Sequence, residues 1–289
     1  MKQFTWHAPK TTREAVDLLS KHKKSVAVVS GGTDIVIELN ERTISPEHVV
    51  DLSQVGELKY VKTEKGVMHI GARTTFSELE DLKTVREKIP ALYEMASHVG
   101  SPQIRNLGTI GGNVSTASVA GDSPTLFETL DAQIVLKSKK GRRVMDFASF
   151  NKGPGRSQMK PDELLTEVNF RMPGKDEAVG YFKIGRRKSL AIVVLAVSIY
   201  VKKAKDNTVK EARVILGAVS KHPMRAPEIE KALIGCKLTR KELEKTLPLF
   251  TEAIDKAIPD RPSVVYKREG VRGAAIRCYD QILDQFGLS

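Results

Sequence analysis

Thr109-Ile110-Gly111-Gly112-Asn113-Val114-Ser115-Thr116-Ala117-Ser118-Val119-Ala120-Gly121-Asp122 is the stretch on which the reading of this 289-residue chain turns. It joins a glycine pair to an Asn and four hydroxyl side chains and closes on Gly-Asp. Such residues suit neither a helix nor a core strand, so the stretch reads as a loop. Glycines let backbone approach a bulky ligand and leave N–H groups free to point at it. Successive N–H groups form a concavity suited to phosphate. Nearby hydroxyls and an amide supply further hydrogen bonds. The same composition also fits an ordinary surface loop.

A second glycine pair lies upstream. Val26-Ala27-Val28-Val29 is a short β-type run, and Ser30-Gly31-Gly32-Thr33-Asp34 follows it directly. A strand that leads into a Gly-rich turn brings backbone amides to an anionic ligand. Neither stretch has the spacing G-x-G-x-x-G, and G-x-x-x-x-G-K-[ST] is absent from the chain. Two unlike phosphate-type loops, far apart in sequence, point to one large diphosphate ligand gripped from two sides.

These two stretches resemble the FAD-binding signatures of the flavoprotein (medium) subunits of molybdenum hydroxylases, the xanthine dehydrogenase and carbon monoxide dehydrogenase family. Other pieces agree in order: Pro102-Gln103-Ile104-Arg105-Asn106, Leu130-Asp131-Ala132, Gly153-Pro154-Gly155, Asp162-Glu163-Leu164-Leu165 and Phe182-Lys183-Ile184-Gly185-Arg186-Arg187. The resemblance covers nearly the whole chain. It implies an α+β protein: the two-subdomain FAD-binding fold of the vanillyl-alcohol-oxidase (PCMH) type, then a C-terminal α+β domain of antiparallel sheet plus helices. The expected units are 1–56, 57–175 and 176–289.

The resemblance also implies a site. Val28, Val29, Ser30, Gly31, Gly32, Thr33 and Asp34 form its first wall. Thr109, Ile110, Gly111, Gly112, Asn113, Thr116 and Ala117 form the second. Asp122 matches an acidic residue near the ribityl chain or phosphates, and Leu164 or Leu165 an apolar residue near the ring systems. Lys183 matches a lysine at the flavin's pyrimidine end, where a cation stabilises negative charge on the reduced ring. From the residues alone, Lys183 also reads as a surface lysine that alternation sets opposite Phe182 and Ile184. Ser30 replaces the Ala common at the start of the first signature.

The family further implies partners. A large subunit holds the molybdenum cofactor, and a small one holds two [2Fe-2S] clusters. Electrons pass from the clusters to FAD and on to NAD⁺, O₂ or a quinone. This chain has only Cys236 and Cys278, whereas a cluster ordinarily takes four thiolates. Both cysteines read as core or helix-face thiols. The formal charge of +12 comes from Lys and Arg spread through the chain, with no nucleic-acid motif. A solvated basic surface, or attraction to an acidic partner subunit, accounts for it. No apolar run is long enough to span a membrane. Met1-Lys2-Gln3-Phe4-Thr5-Trp6-His7 lacks an apolar leader core, so the cytoplasm is expected.

No nucleophile–base constellation stands out, and the six histidines are scattered without metal-ligand spacing. His22 ends an apolar helical face and reads as a surface or C-terminal-turn histidine rather than a ligand. The chain therefore reads as a cofactor carrier. A stand-alone flavin oxidoreductase of the same fold, or a non-enzymatic anion-binding assembly protein, is the alternative. Locally, Thr11-Thr12-Arg13-Glu14 and Thr75-Phe76-Ser77-Glu78 predict capping boxes. Ile35–Leu39 reads as apolar backing for the first loop, and Lys139-Lys140-Gly141-Arg142-Arg143 as a solvated turn. Past Pro173-Gly174, β-rich runs at Tyr181–Ile184, Leu190–Val201 and Arg213–Val219 precede helical patterns at Pro227–Leu233, Thr239–Ala257 and Val264–Phe286.

Overall fold

The computed structural model describes residues 3–187 and 190–288; the first two residues of the stretch read for a leader lie outside them. Strands β1 (Thr5–His7), β2 (Val26–Val29) and β3 (His48–Asp51) form a parallel sheet in the order β1-β3-β2. Parallel strands need crossovers, and the helices Thr12–His22 and Ile35–Glu41 supply them. Thr11 caps the first helix by accepting the Glu14 amide at 3.1 Å. The expected capping box is half formed, because the Glu14 carboxylate takes the Lys10 amide at 2.7 Å instead of that of Thr11. The Thr75–Glu78 box is complete. In the helix Ile35–Glu41 only Leu39 is buried, and Val36 and Ile37 face solvent.

Strands β4 (Val61–Glu64), β5 (Val67–Gly71), β6 (Gln133–Ser138) and β7 (Gly141–Asp146) belong to a second sheet. The short pair β8 (Asn151–Gly153) and β9 (Arg156–Ser157) separates them from its last member, β10 (Leu164–Arg171). The sheet is antiparallel throughout, in the order β4-β5-β10-β6-β7. The expected solvated turn at 139–143 is corrected here. Only Lys139-Lys140 turns, and Arg143 lies in β7. Its guanidinium donates to both oxygens of the buried Glu163 carboxylate, at 3.0 and 2.7 Å. A buried carboxylate requires such a partner.

The third sheet is β11 (Glu177–Ile184), β12 (Leu195–Lys203), β13 (Val209–Gly217) and β14 (Met224–Arg225), antiparallel in that order. Its two faces serve different cores, as a period of two demands. Val179, Tyr181, Ala196 and Tyr200 pack into the core of the five-stranded sheet. Ala178, Leu195, Val197, Ile199 and Val201 pack against the C-terminal helices. Those helices are Pro227–Leu233, Arg240–Glu244, Leu247–Ala257 and Val264–Phe286. The pattern read over 239–257 is two helices, the second carrying Pro248 in its first turn.

Strand β11 is a sheet edge, and the long helix Val264–Phe286 covers it. Gly180 admits the helix backbone: a Cβ there would lie 2.5 Å from the Cys278 carbonyl oxygen. Gln281 accepts the Tyr181 amide at 2.8 Å, and Gln285 donates to the Val179 carbonyl at 2.8 Å. The edge groups that would otherwise template another strand are thus satisfied. Cys278 is buried within this contact and donates to the Val197 carbonyl.

The crossing from β10 to β11 is tied by Glu177, whose side chain is 4% exposed. Its carboxylate accepts from Arg171 at 2.8 Å and from the Gly174 amide at 2.7 Å. Burial pushes the carboxyl up, but these hydrogen bonds outweigh it and bring the pKa down to about 2. A depressed carboxylate stabilises the fold above its unfolded value, about 4.3. That contribution is lost as pH falls from there through about 2. Glu177→Gln is expected to cost on the order of 2 kcal/mol at neutral pH and to flatten the decline of Tm between pH 4.5 and pH 2. Thermal melts across that range check it; parallel acid limbs in the two proteins would remove Glu177 from this role.

Candidate functional site

The two glycine stretches meet. Gly31 lies so close to the Leu107 carbonyl and Gly108 that any Cβ would collide with them. Thr109 donates its hydroxyl to the Ser30 hydroxyl at 3.2 Å. Gly32, at φ +75°, takes the left-handed conformation that lets the chain turn from Val29 into the next helix. Among the described residues, none of the amides of Gly31, Gly32, Thr33 and Asp34 donates to a protein acceptor. They are the free donors of the site. Val28 and Val29 hold the loop's entry in the parallel sheet, opposite Val50 and Asp51.

The second stretch departs from expectation. Residues Ile110–Thr116 form a helix, not a loop. Ile110 and Val114, one turn apart, are both buried, and tertiary burial overrides the weak helix propensity of the glycines. Thr109 caps the helix by accepting the Gly112 amide at 3.1 Å. The Ile110 and Gly111 amides donate to the carbonyls of Thr74 and Ala72. The amides expected to face a ligand are therefore committed, and neither glycine has positive φ. The two differ in what surrounds them. A Cβ on Gly111 would lie 2.6 Å from the Ala72 Cβ and 2.7 Å from its carbonyl oxygen, whereas one on Gly112 would meet only the Thr109 hydroxyl, at 3.0 Å. Gly111 is a packing position. Gly112 is the open one.

Asn113 accepts the Ser123 hydroxyl at 2.6 Å, and Thr116 donates to the Gly112 carbonyl at 2.9 Å. The helix ends at Ala117, buried at φ +48°, whose carbonyl accepts the Gly155 amide. Leu164 and Leu165 are both buried at the start of β10 but belong to different cores. Leu164 joins the cluster under the parallel sheet, and Leu165 the cluster that holds Ile110.

Lys183 is not a surface lysine. Alternation along β11 turns it to the side of Val179 and Tyr181, and its side chain is 7% exposed. Its ammonium forms a salt bridge with Asp122 and donates to the His98 carbonyl at 2.7 Å. Burial pushes the Asp122 carboxyl up, while the Lys183 charge and hydrogen bond pull it back. Tyr181 donates to the Asp122 carbonyl. The sequence did not point to His98, whose contribution is a backbone oxygen, nor to Ala72 and Leu107, which act through their main chains. Only Cβ clearances at the glycines expose those two. The histidines are also corrected: His7, His22 and His48, scattered in sequence, converge in space.

An open groove of about 950 Å³ lies elsewhere, with Trp6, His7, Asp17 and Lys21 on its walls and no residue of either glycine stretch. Free loop amides and a buried ion pair make a better ligand site than that volume does.

Fold and site together suit a carrier of a diphosphate cofactor: one loop of free amides with a clamped helix beside it. Two family profiles match the chain. One is described as the FAD binding domain in molybdopterin dehydrogenase, over residues 2–172. The other is the CO dehydrogenase flavoprotein C-terminal domain, over 180–282. The chain is 42% identical over 289 residues to the nicotinate dehydrogenase FAD-subunit of Eubacterium barkeri, covering 99% of this chain and 98% of that protein. It is 30% identical over 279 residues to the carbon monoxide dehydrogenase medium chain of Afipia carboxidovorans, covering 95% and 94%. A solved Cu,Mo-CO dehydrogenase chain superposes with a TM-score of 0.88 at 27% identity, over 98% of both chains. The chain belongs to the FAD-binding medium subunits of molybdenum hydroxylases, and is an oxidoreductase subunit with a PCMH-type FAD-binding domain.

Two outcomes test the site. Gly111→Val should cost a few kcal/mol, because the Ala72 backbone cannot yield. Gly112→Val should fold and lose FAD. Urea melts and flavin content per folded chain separate them; a full FAD complement in Gly112→Val would refute the open-face reading. Lys183→Ala should cost about 3–5 kcal/mol by leaving Asp122 buried and uncompensated. Asp122→Asn with Lys183→Met should recover most of that. A double variant no more stable than Lys183→Ala would mean the pair is not coupled.

Proposed function

We propose that the cleft between the first glycine loop and the helix Ile110–Thr116 holds FAD, and that the chain passes electrons through it within a heteromeric molybdenum hydroxylase. The observation that carries this is the pinning of Ser30 and Gly31 to Leu107 and Thr109, beside four uncommitted amides. The geometry fits the group. Gly31 to Asp34 offer the diphosphate their N–H groups, and the hydroxyls of Ser30, Thr33 and Thr109 border it. Asn113 and Thr116 line the second wall, with Asp122 and Lys183 beyond. One of Leu164 and Leu165 would bring apolar surface toward the ring systems. When bound, the flavin accepts and donates electrons; the protein holds it and sets the field around it.

The rest of the circuit lies on other chains. A small subunit with [2Fe-2S] clusters would feed the flavin, and a large one with the molybdenum cofactor would choose and oxidise the substrate. The acceptor would be NAD⁺, O₂ or a quinone, and the site of action the cytoplasm. The carbon monoxide dehydrogenase medium chain is a relative by name, which supports such an assembly. The units 1–56, 57–175 and 176–289 serve this as two flavin-binding halves and a buttress. The second carries the short β8–β9 pair besides its five-stranded sheet, and its last strand, β10, also packs Leu164 under the first.

No Cys or His lies in either glycine stretch, so the flavin should be non-covalent. Acid precipitation of the purified chain should leave all yellow colour in the supernatant. Under anaerobic conditions, N-heterocycle or aldehyde substrates should not bleach the isolated subunit, and should bleach it once partners are added. Bleaching of the subunit alone would overturn the relay reading and make the chain a stand-alone oxidoreductase.

A further inference from the structure

At the other end of the parallel sheet from the first glycine loop, three imidazoles meet. In the β1–β3 pairing Thr5 lies opposite His48, so His7, two residues on, falls on the same face of the sheet. The helix Thr12–His22 brings its last residue to that place. His7 Nε2 and His48 Nδ1 are 3.2 Å apart. The His22 ring lies 3.6 Å from that of His48 and 5.4 Å from that of His7, centre to centre. One ring nitrogen from each residue lies within 4.8 Å of the other two. His22 Nε2 is buried and has no hydrogen-bond partner.

We propose that His7, His22 and His48 form a binding site for one divalent transition-metal ion of the zinc class. Three neutral imidazoles are a donor set that suits Zn²⁺, Co²⁺, Ni²⁺ and Cu²⁺ over Mg²⁺ or Ca²⁺. Zinc holds imidazole nitrogens at about 2.0–2.1 Å, so two on one ion lie roughly 3.3 Å apart. The His7–His48 separation already has that value. A ring nitrogen of His22 lies within 4.8 Å of both. Burial, the neighbouring imidazoles and the Lys21 ammonium push the pKa of His7 and His22 down, with Glu47 opposing this at His22. A fourth ligand has access, because His7 also lines the open groove of about 950 Å³.

The ion would staple the start of the chain to its first crossover helix and to the central strand β3. The neighbouring strand β2, whose Val26 pairs with His48, runs directly into the Ser30–Asp34 loop. The site would therefore brace the base of the strand that presents the free amides.

The test uses the full-length, untagged chain, stripped with chelator and dialysed. Zn²⁺ titration followed by elemental analysis should find one equivalent per chain, and added Zn²⁺ should raise Tm. Co²⁺ should give visible d–d bands, and ring ¹⁵N resonances of three histidines should shift in the wild-type protein on zinc addition. His22→Gln and the pair His7→Gln with His48→Gln should bind Zn²⁺ at least tenfold more weakly, with FAD content unchanged. No stoichiometric zinc in the wild-type chain, zinc that shifts other histidines, or undiminished binding in folded variants would each overturn the site. The resonance shifts need no variant, so misfolding of a substituted chain leaves the proposal exposed to refutation.

Discussion

Gly31 sits against the carbonyl of Leu107 with no room for a Cβ, and the rest of the candidate site depends on that contact. It joins two segments nearly eighty positions apart, and Ser30–Thr109 fastens the same junction through side chains. Any other residue at 31 would push the loops apart and open the space between them. The division of labour between the loops follows. One can leave its amides free because the other has committed its own, to Thr74, Ala72 and the Thr109 cap, and so acts as a rigid wall. A binding loop that is irregular needs such a wall if it is to keep its shape without ligand.

The C-terminal domain completes this arrangement by lending one residue across a shared sheet. The alternation of β11 sends Val179, Tyr181 and Lys183 toward the five-stranded sheet and Ala178, Phe182 and Ile184 toward the helices. Lys183 thereby reaches Asp122, in the turn just after the helix Ile110–Thr116. Burying that pair is worthwhile only with both members present, since either alone would be an uncompensated buried charge. Tyr181 adds a bond to the backbone of the same residue. Glu177 fixes the point where the chain enters the strand, and Gln281 and Gln285 fix its outer edge. The position of Lys183 is thus determined along β11 from three sides.

Much of this was legible in the sequence because it depends on local chemistry. A β-type run followed by Ser-Gly-Gly-Thr-Asp reads as strand and turn at a glance, and Gly32 does adopt positive φ. The helices Pro227–Leu233 and Val264–Phe286 lie where their patterns put them. What was illegible depends on partners distant in sequence. Gly111 and Gly112 look alike as letters, yet one packs on Ala72 and the other meets only the Thr109 hydroxyl. Ile110 and Val114 bury enough to make a helix of a glycine-rich stretch, which no propensity anticipates. Arg143 reads as a solvated charge until Glu163 is placed beside it. His7, His22 and His48 have no common spacing, and only the register of a parallel sheet brings them together.

The charge pattern gives a final constraint. Neither glycine stretch contains Lys or Arg, although the chain carries 47 of them. Lys183, which reaches the site from β11, is matched by Asp122. A diphosphate held here is therefore met by backbone dipoles, which are fixed in place and bring no net charge of their own. The excess of +12 lies on the rest of the molecule, where salt can screen it.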